Sequence, residues 1–368
     1  MGCLLVGGVW GRLYMSPMTG IQKGSVRWVK PARLEDLVAV FSWLDAGDSV
    51  CLASQSIGFV QSHRGGPALG MTTSGTTGKP RVVWHAWDDL RSQVSIKVPR
   101  SWTWASPFRA DSFAGVQVAL QAWAAGGQCL GLNGGWGKIW EVLDRIQPEA
   151  LCCTPTFLDL LLLSESRWSG ARRWSPQQIT LGGEPLRRRV GEIGQNAFPA
   201  ARVTLVYASA ELGVIAKSHG WDGWFDLNAL TGRWIGWRLD DSGELLEVQD
   251  SGHWHATGDR VEVDAERFRI LGRAGHVANV GGVKVSLAAV EAAAVTVPGV
   301  QAVRAWAVPN PLTGHIVGLR FSVLPGSDPS KVVEALGRDL RRQLPREAHP
   351  RRIEVVSLEL GPNAKQWT

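Results

Sequence analysis

The sequence predicts an α/β protein: a large N-terminal domain of mostly parallel sheets and helices, followed by a small α+β C-terminal domain. Three observations carry this. Short β-prone runs ending in Gly or Pro turns and followed by helical periodicity recur from residue 82 to residue 211. The pattern changes to short β-like segments at Trp221 and changes again after Gly272-Arg273. The chain has 368 residues, 45% hydrophobic and 20% charged, enough for two domains with sizeable cores.

Arg33 to Asp45 places Leu34, Leu37, Val38, Val40, Phe41 and Leu44 at helical spacings and predicts an amphipathic helix. Val82 to Trp84 reads as a strand, and Phe113 to Ala125 as a helix ended by Gly126-Gly127. Ala150 to Cys153 reads as a buried strand turning at Pro155, ahead of a helix over Phe157 to Leu163. Strands follow at Gln178 to Leu181, which ends in Gly182-Gly183, and at Arg202 to Tyr207. In a parallel sheet, ligands collect beyond the carboxyl ends of such strands. From Trp221 to Leu271 the segments are short and punctuated, as at Asp240-Asp241-Ser242-Gly243. The last part predicts a strand at Val283 to Val285, a helix at Leu287 to Val295, and strands at Ala302 to Val308 and Ile316 to Val323. A helix at Pro329 to Gln343 and a strand at Ile353 to Val356 complete it. The expected boundary separates 1–272 from 273–368, the second part having the size of a small domain.

The formal charge is +6 and the pI about 9.3, but the cations form short scattered clusters such as Arg187-Arg188-Arg189 and Arg341-Arg342. No nucleic-acid module accompanies them, so a solvated face and anionic small ligands are expected rather than nucleic acid. Five cysteines, Cys3, Cys51, Cys129, Cys152 and Cys153, form no CxxC pair, which fits reduced thiols in the cytoplasm. No secretion signal is evident at the start, no apolar run approaches a spanning length of about 18 residues, and stable membrane insertion is not expected. The oligomeric state stays open, a homodimer included. Nineteen tryptophans against two tyrosines is an unusual ratio.

The run Thr72-Thr73-Ser74-Gly75-Thr76-Thr77-Gly78-Lys79-Pro80-Arg81 interleaves hydroxyls with glycines. Such a loop can wrap a polyphosphate, because backbone N–H groups approach closely where no Cβ intervenes. The bland alternative is a flexible Ser/Thr/Gly linker. The run is not a Walker A loop, which requires Gly where Thr73 stands and Ser or Thr where Pro80 stands.

The loop resembles the TSGTTGxPK signature of the adenylate-forming superfamily, which includes acyl-CoA synthetases, aryl-CoA ligases and firefly luciferase. Further matches follow in family order. Leu181-Gly182-Gly183-Glu184-Pro185-Leu186 resembles GGxPL, Tyr207-Ala208-Ser209-Ala210-Glu211 resembles YGxTE, and Thr257-Gly258-Asp259 matches TGD. Gly272-Arg273 matches the interdomain GR, Gly281-Gly282 with Lys284-Val285 matches GGxKV, and Pro362 to Lys365 resembles PxNxxGK. Each alone has a bland reading as a turn, a cap or a solvated charge; their order over residues 72–365 carries the likeness.

The resemblance implies a two-step reaction with ATP, Mg2+ and coenzyme A, in which a small carboxylic acid becomes an acyl-adenylate and then a thioester. Thr73, Ser74, Gly75, Thr76, Thr77, Gly78 and Lys79 would hold phosphates, with Thr76, Glu211 and Lys365 in catalytic roles and Glu211 also at the metal. Gly182 and Gly183 would lie along adenine, the Tyr207 ring would stack on it, and Asp259 and Arg273 would reach the ribose. A mobile C-terminal domain would present Gly281, Gly282 and Lys284 to coenzyme A. Arg109, His85 and Ser209 are the candidate contacts to the acid. Within the family the short first lobe resembles the compact o-succinylbenzoate–CoA ligases of menaquinone and phylloquinone synthesis. Another small aryl or acyl acid, or a degenerate nucleotide-binding homologue, is the alternative. The departures from the pattern are Arg81 for Lys, Ala210 for Thr, Gly275 for the hinge acid, and Pro107 to Asp111 for the acyl-pocket PLxH segment.

Overall fold

The computed structural model describes residues 26–52, 66–73, 81–94, 101–165, 173–230, 237–240, 244–248, 254–273, 277–281, 283–324 and 326–356. The chain forms two compact units, one reaching Asp222 and a second made of Gly223–Asn228 and the described residues from Trp237 to Val356.

The first unit opens with β1 (Val26–Val29), α1 (Leu37–Asp45), β2 (Ser49–Leu52), β3 (Ala68–Thr73), β4 (Arg81–Ala86) and α2 (Trp87–Ser92). Strands β1, β2 and β3 are parallel, and β4 closes the edge antiparallel to β3. Val50, Cys51 and Leu52 are fully buried, as a strand covered on both faces requires. Helix α1 turns Leu37, Val40, Phe41 and Leu44 inward. There Phe41 stacks on Trp87 with ring centres 5.6 Å apart, while the Trp87 indole N–H donates to Asp45 Oδ1 at 2.7 Å.

The same unit continues with β5 (Thr103–Ser106), α3 (Phe113–Ala124), β6 (Gln128–Gly131), α4 (Trp136–Ile146), β7 (Ala150–Cys153), α5 (Pro155–Glu165), β8 (Gln178–Gly182), α6 (Arg188–Ala197), β9 (Arg202–Ser209) and β10 (Gly213–His219). These strands make a six-stranded sheet in the order β10-β9-β8-β7-β5-β6, parallel throughout except for β10. The carboxyl ends of β5, β7, β8 and β9 therefore share one edge. Side-chain caps set the helices that follow: Ser112 Oγ accepts from the Gly115 N–H at 3.1 Å, and Thr154 Oγ1 from the Phe157 N–H at 3.1 Å. Part of the tryptophan excess has a physical account here. Trp140 and Trp174 meet edge to face, fully buried, with their indole N–H groups donated to Ser164 Oγ at 2.9 Å and Pro148 O at 2.8 Å.

The second unit begins with β11 (Phe225–Asp226), β12 (Trp237–Leu239), β13 (Glu244–Val248), β14 (Trp254–Asp264) and β15 (Arg267–Arg273), an antiparallel sheet in the order β11-β15-β14-β13-β12. It ends with β16 (Val277–Val280), β17 (Val283–Ser286), α7 (Leu287–Val295), β18 (Val300–Asn310), β19 (Gly314–Val323), α8 (Pro329–Gln343) and β20 (Arg352–Val355). Strands run β17-β16-β19-β18, with β20 parallel to β19. Val290 of α7 and Leu336 and Leu340 of α8 share a core with Leu319 and Phe321. The α/β class expected from the sequence is the one observed, with the expected helices at 287–295 and 329–343 in place.

Candidate functional site

Several of the expected site residues of the first unit gather at the carboxyl edge of the six-stranded sheet. Register places Gly182 beside Val206, so Gly183 and Tyr207 leave neighbouring strands at the same level. Gly183 has φ +79, a left-handed conformation that favours glycine. Gly182 is held by contact: a Cβ there would lie 3.1 Å from the Val206 carbonyl oxygen. Glu184, next in the segment, accepts from the Thr156 N–H at 3.3 Å at the start of α5. An acid at a helix N-terminus meets both orphan donors and the positive dipole end, so Glu184 ties this turn to α5.

Tyr207 shares the buried face of β9 with Val203 and Leu205 and is 7% exposed. The turn Ala210-Glu211-Leu212 then joins β9 to β10, and Ser209 Oγ accepts from the Leu212 N–H at 3.0 Å. Ser209 thereby shapes the turn. Glu211 stands exposed at its tip, with no ion-pair partner among the described residues. His85 of β4, from the other sheet, reaches this turn: its Nε2 lies 2.7 Å from the Ala210 carbonyl oxygen, and its ring lies 5.4 Å from that of Phe113. An Nε2–H donor satisfies this contact, since a carbonyl oxygen accepts.

The ends of β3 and β4 face each other, Thr73 opposite Arg81. The loop between them thus leaves one strand and returns on its antiparallel neighbour, unlike a Walker A loop, which opens a helix. Ser74, Gly75, Thr76, Thr77, Gly78 and Lys79 lie outside the described residues, as do Gly282 and Lys365; Thr73, Arg273 and Lys284 are described by their backbones. Arg109 is exposed, and both its Nε and Nη2 donate to Asp111, the former at 2.7 Å. That hydrogen bond holds the guanidinium more firmly protonated than usual. Its charge meets a ligand only after the Asp111 pair opens.

In the second unit, Asp259 of β14 lies opposite Arg273 of β15, two residues fourteen apart in sequence brought level by the ladder. Asp259 is 7% exposed; its N–H donates to Thr257 Oγ1 at 3.2 Å, and Gly258, at φ +77, donates to Glu244 Oε1 at 2.9 Å. Gly272 takes φ +129 and Gly281 φ +60, and the Gly281 N–H donates to the Thr313 carbonyl at 2.8 Å. Among the described residues no cluster of three or more His, Cys, Asp or Glu is placed to hold a metal by itself. A single unpaired carboxylate at the end of a parallel sheet suits a cation shared with polyphosphate oxygens, the usual manner of Mg2+.

Gln93, Glu184 and Asp111 carry the local geometry and were not singled out by the sequence. For Gln93 and Glu184 the partners lie far off along the chain; Asp111 lies in the Pro107 to Asp111 segment that departs from the family pattern, but its pairing with Arg109 is not written in the motif.

Residues 37–241 match the AMP-binding enzyme family. No curated protein matches the chain. Among solved structures, it is similar to the anthranilate CoA ligase AuaEII in complex with anthranoyl-AMP, at 17% identity over 92% of this chain and 75% of that one, with a TM-score of 0.65. A variant of E. coli MenE with bound OSB-AMS is similar at 14% identity over 93% and 87%, TM-score 0.67. The amide bond synthetase McbA from Marinactinospora thermotolerans is similar at 20% identity over 92% and 77%, TM-score 0.63. At these identities the likeness speaks for the fold. With a family match over more than half of its length, on the sheet edge just described, the chain belongs to the AMP-binding enzyme family.

Proposed function

We propose that the protein is an AMP-forming acid–thiol ligase. The observation that carries this is the convergence of Gly182-Gly183, Tyr207 and the Glu211 turn on one sheet edge, with His85 fastened to that turn, in a chain of this family. In this reading a carboxylate oxygen attacks the α-phosphorus of ATP, the bond to the β,γ-pyrophosphate breaks, and a thiol then displaces AMP from the acyl carbon. Both steps build charge on oxygen, so donors and cations placed beforehand carry the catalysis. The 72–79 loop and Lys79 take the phosphates, Thr76 donates to them, and Gly182, Gly183 and Tyr207 take the adenine. Asp259 and Arg273 take the ribose hydroxyls, a role their opposed register supports. Glu211 holds Mg2+, whose contribution when bound is to neutralise phosphate charge. Lys365 meets the α-phosphate and carboxylate in the first step. Turning of residues 273–368 about the Gly272-Arg273 junction then brings Gly281, Gly282 and Lys284 to coenzyme A.

For the acid we propose o-succinylbenzoate first, in the synthesis of menaquinone or phylloquinone. The fold likeness to MenE bound to OSB-AMS supports this choice. A specific observation favours the second reading, an aryl acid without a second carboxylate: Arg109, the one cation among the candidate contacts to the acid and so the group that would meet a second carboxylate, is already taken up by Asp111. The likeness to an anthranilate CoA ligase supports the same alternative.

The test is pyrophosphate release from Mg·ATP with o-succinylbenzoate and with a panel of aryl and short-chain acids, with and without coenzyme A. Release confined to o-succinylbenzoate, with thioester forming only when coenzyme A is present, is the expected outcome. Release with another acid keeps the mechanism and changes the substrate. Silence across the panel leaves a nucleotide-binding homologue without catalysis.

A further inference from the structure

The turn that carries Glu211 is held from outside by a residue that no motif contains. Gln93, immediately after α2, accepts at Oε1 from the Val214 N–H at 3.3 Å and from Gln117 Nε2 at 3.2 Å. Its backbone carbonyl accepts from Lys217 Nζ at 2.9 Å. Gly213 lies flat against the same amide: a Cβ there would come within 3.0 Å of Gln93 Nε2, and its φ of +76 already favours glycine. One side chain thus joins the end of α2, the middle of α3 and the first two residues of β10.

The position of these contacts matters more than their number. Strand β10 begins two residues after Glu211, and its register slips between Val214 and Ala216. The irregularity comes directly after Val214, so the ladder next to the turn is confined to the pairs Gly213–Ser209 and Val214–Ala208 before the register changes. Ser209 Oγ holds the Leu212 N–H from within the turn, and His85 holds the Ala210 carbonyl from β4. Gln93 supplies the third fixed point, on the β10 side. With all three, the backbone on both flanks of Glu211 is referred to the small sheet and its helix as well as to its own strands.

We propose that Gln93 is a positioning residue for the Glu211 carboxylate and so sets the affinity of the Mg·ATP site for its metal. The proposal rests on the reading of Glu211 as a metal ligand. Partners that orient ligating groups are worth roughly 10- to 100-fold in metal affinity. Both hydrogen bonds to the Gln93 side chain end on Oε1, so glutamate at this position keeps both acceptor contacts while leucine keeps neither.

The experiment is calorimetric titration of Mg2+ into the full-length protein with ATP, with ATP affinity in EDTA and the urea midpoint measured alongside. For Gln93→Leu the half-saturating Mg2+ rises roughly tenfold, while ATP affinity in EDTA and the urea midpoint stay at wild-type values. Gln93→Glu restores wild-type metal dependence. Combined with Glu211→Gln, the Leu variant adds nothing to the shift of Glu211→Gln alone. If Gln93→Leu does not fold, Gln93→Asn, one methylene shorter and with its amide kept, takes its place with the same expectation. A shift with Glu211→Gln and none with the Gln93 variants overturns the proposal and leaves Glu211 standing. No shift with Glu211→Gln itself overturns the reading of Glu211. Equal additional loss in the double variant, or loss of ATP affinity in EDTA, makes Gln93 a general structural residue and overturns the proposal as well.

Discussion

Asp159 shows how one buried charge is tolerated in the first unit. Its side chain is 8% exposed on α5, and both carboxylate oxygens accept from Arg189 Nη1 at 3.0 Å. Burial nevertheless outweighs Arg189 and Arg187, and the carboxyl stands above its ordinary range. A folded value above the unfolded one near 3.8 means that the folded protein holds this proton more tightly. The stability it contributes is whole below the unfolded value and is lost as pH rises through the folded one. Asp159→Asn is expected to flatten this part of the curve, so as pH rises above the unfolded value the urea midpoint falls less in the variant than in the wild type. An unchanged pH profile would sink the assignment. The cysteines make a second residue-scale case. Burial pushes the thiols of Cys51 and Cys152 up to about 12 and raises Cys153 and Cys129 as well. Thiolate is the reactive form, so these groups are inert while the fold holds. In a Cys3→Ser variant, an aromatic disulfide reagent at mild alkaline pH should react slowly with the native protein and promptly with all four remaining thiols in urea. Prompt reaction of the native variant would contradict their burial.

At the scale of the element, close approaches decide what the sequence could and could not disclose. Helix α3 begins under the carbonyl of Arg109: a Cβ at Gly115 would lie 1.9 Å from that oxygen. Gly115→Ala must push the Arg109–Asp111 loop away from the sheet edge, and overpacking of this kind typically costs about 1–3 kcal/mol. The measurement is the urea midpoint, and an unshifted midpoint would show that the loop gives way freely. Helices α7 and α8 were legible because local signals agree: Ser286 and Asp328 cap them, Pro329 opens α8, the apolar residues of α8 follow the helical period, and α7 is rich in the good helix former Ala. Helix α6 was not, since Gly191 and Gly194 lie within it and glycine opposes helix by propensity. Its reason is tertiary. Trp221 packs so closely that a Cβ at Gly191 would lie 2.2 Å from its carbonyl and one at Gly194 2.4 Å from its ring. Strands β5 and β6 escaped notice for a related cause, being four residues long and lacking the alternation that marks a half-buried strand. The site divides in the same way. Glycine-rich motifs are readable from short-range chemistry, whereas the fastening of His85 to Ala210 and of Gln93 to Val214 spans 125 and 121 residues and leaves no local trace.

At the scale of the whole molecule, a two-step reaction asks one protein for two arrangements of charge. Adenylation needs a cation at the α-phosphate to offset the charge that grows as the carboxylate attacks. Thioester formation needs that place open for the incoming thiol, so the proposed division assigns the two steps to different segments of 273–368. In that proposal Lys365 would serve the first step, and Gly281, Gly282 and Lys284 would serve the second. The geometry on the second unit is suited to such an exchange. Gly272, at φ +129, occupies a conformation that other residues rarely adopt, while the Gly281 turn is fixed to β19's entry through Thr313 and would travel with it as a piece. Lys365→Ala should therefore slow pyrophosphate release by roughly 100- to 1,000-fold, the usual cost of one preorganised charge contact, while a supplied acyl-adenylate is still converted to thioester near the wild-type rate. Lys284→Ala should do the reverse, slowing thioester formation from the adenylate and sparing pyrophosphate release. Each half-reaction is read separately, by pyrophosphate release without thiol and by single-turnover conversion of the isolated adenylate. Equal losses in both half-reactions for either variant would mean that one fixed arrangement serves both steps, and the division of labour about Gly272-Arg273 would have to be abandoned.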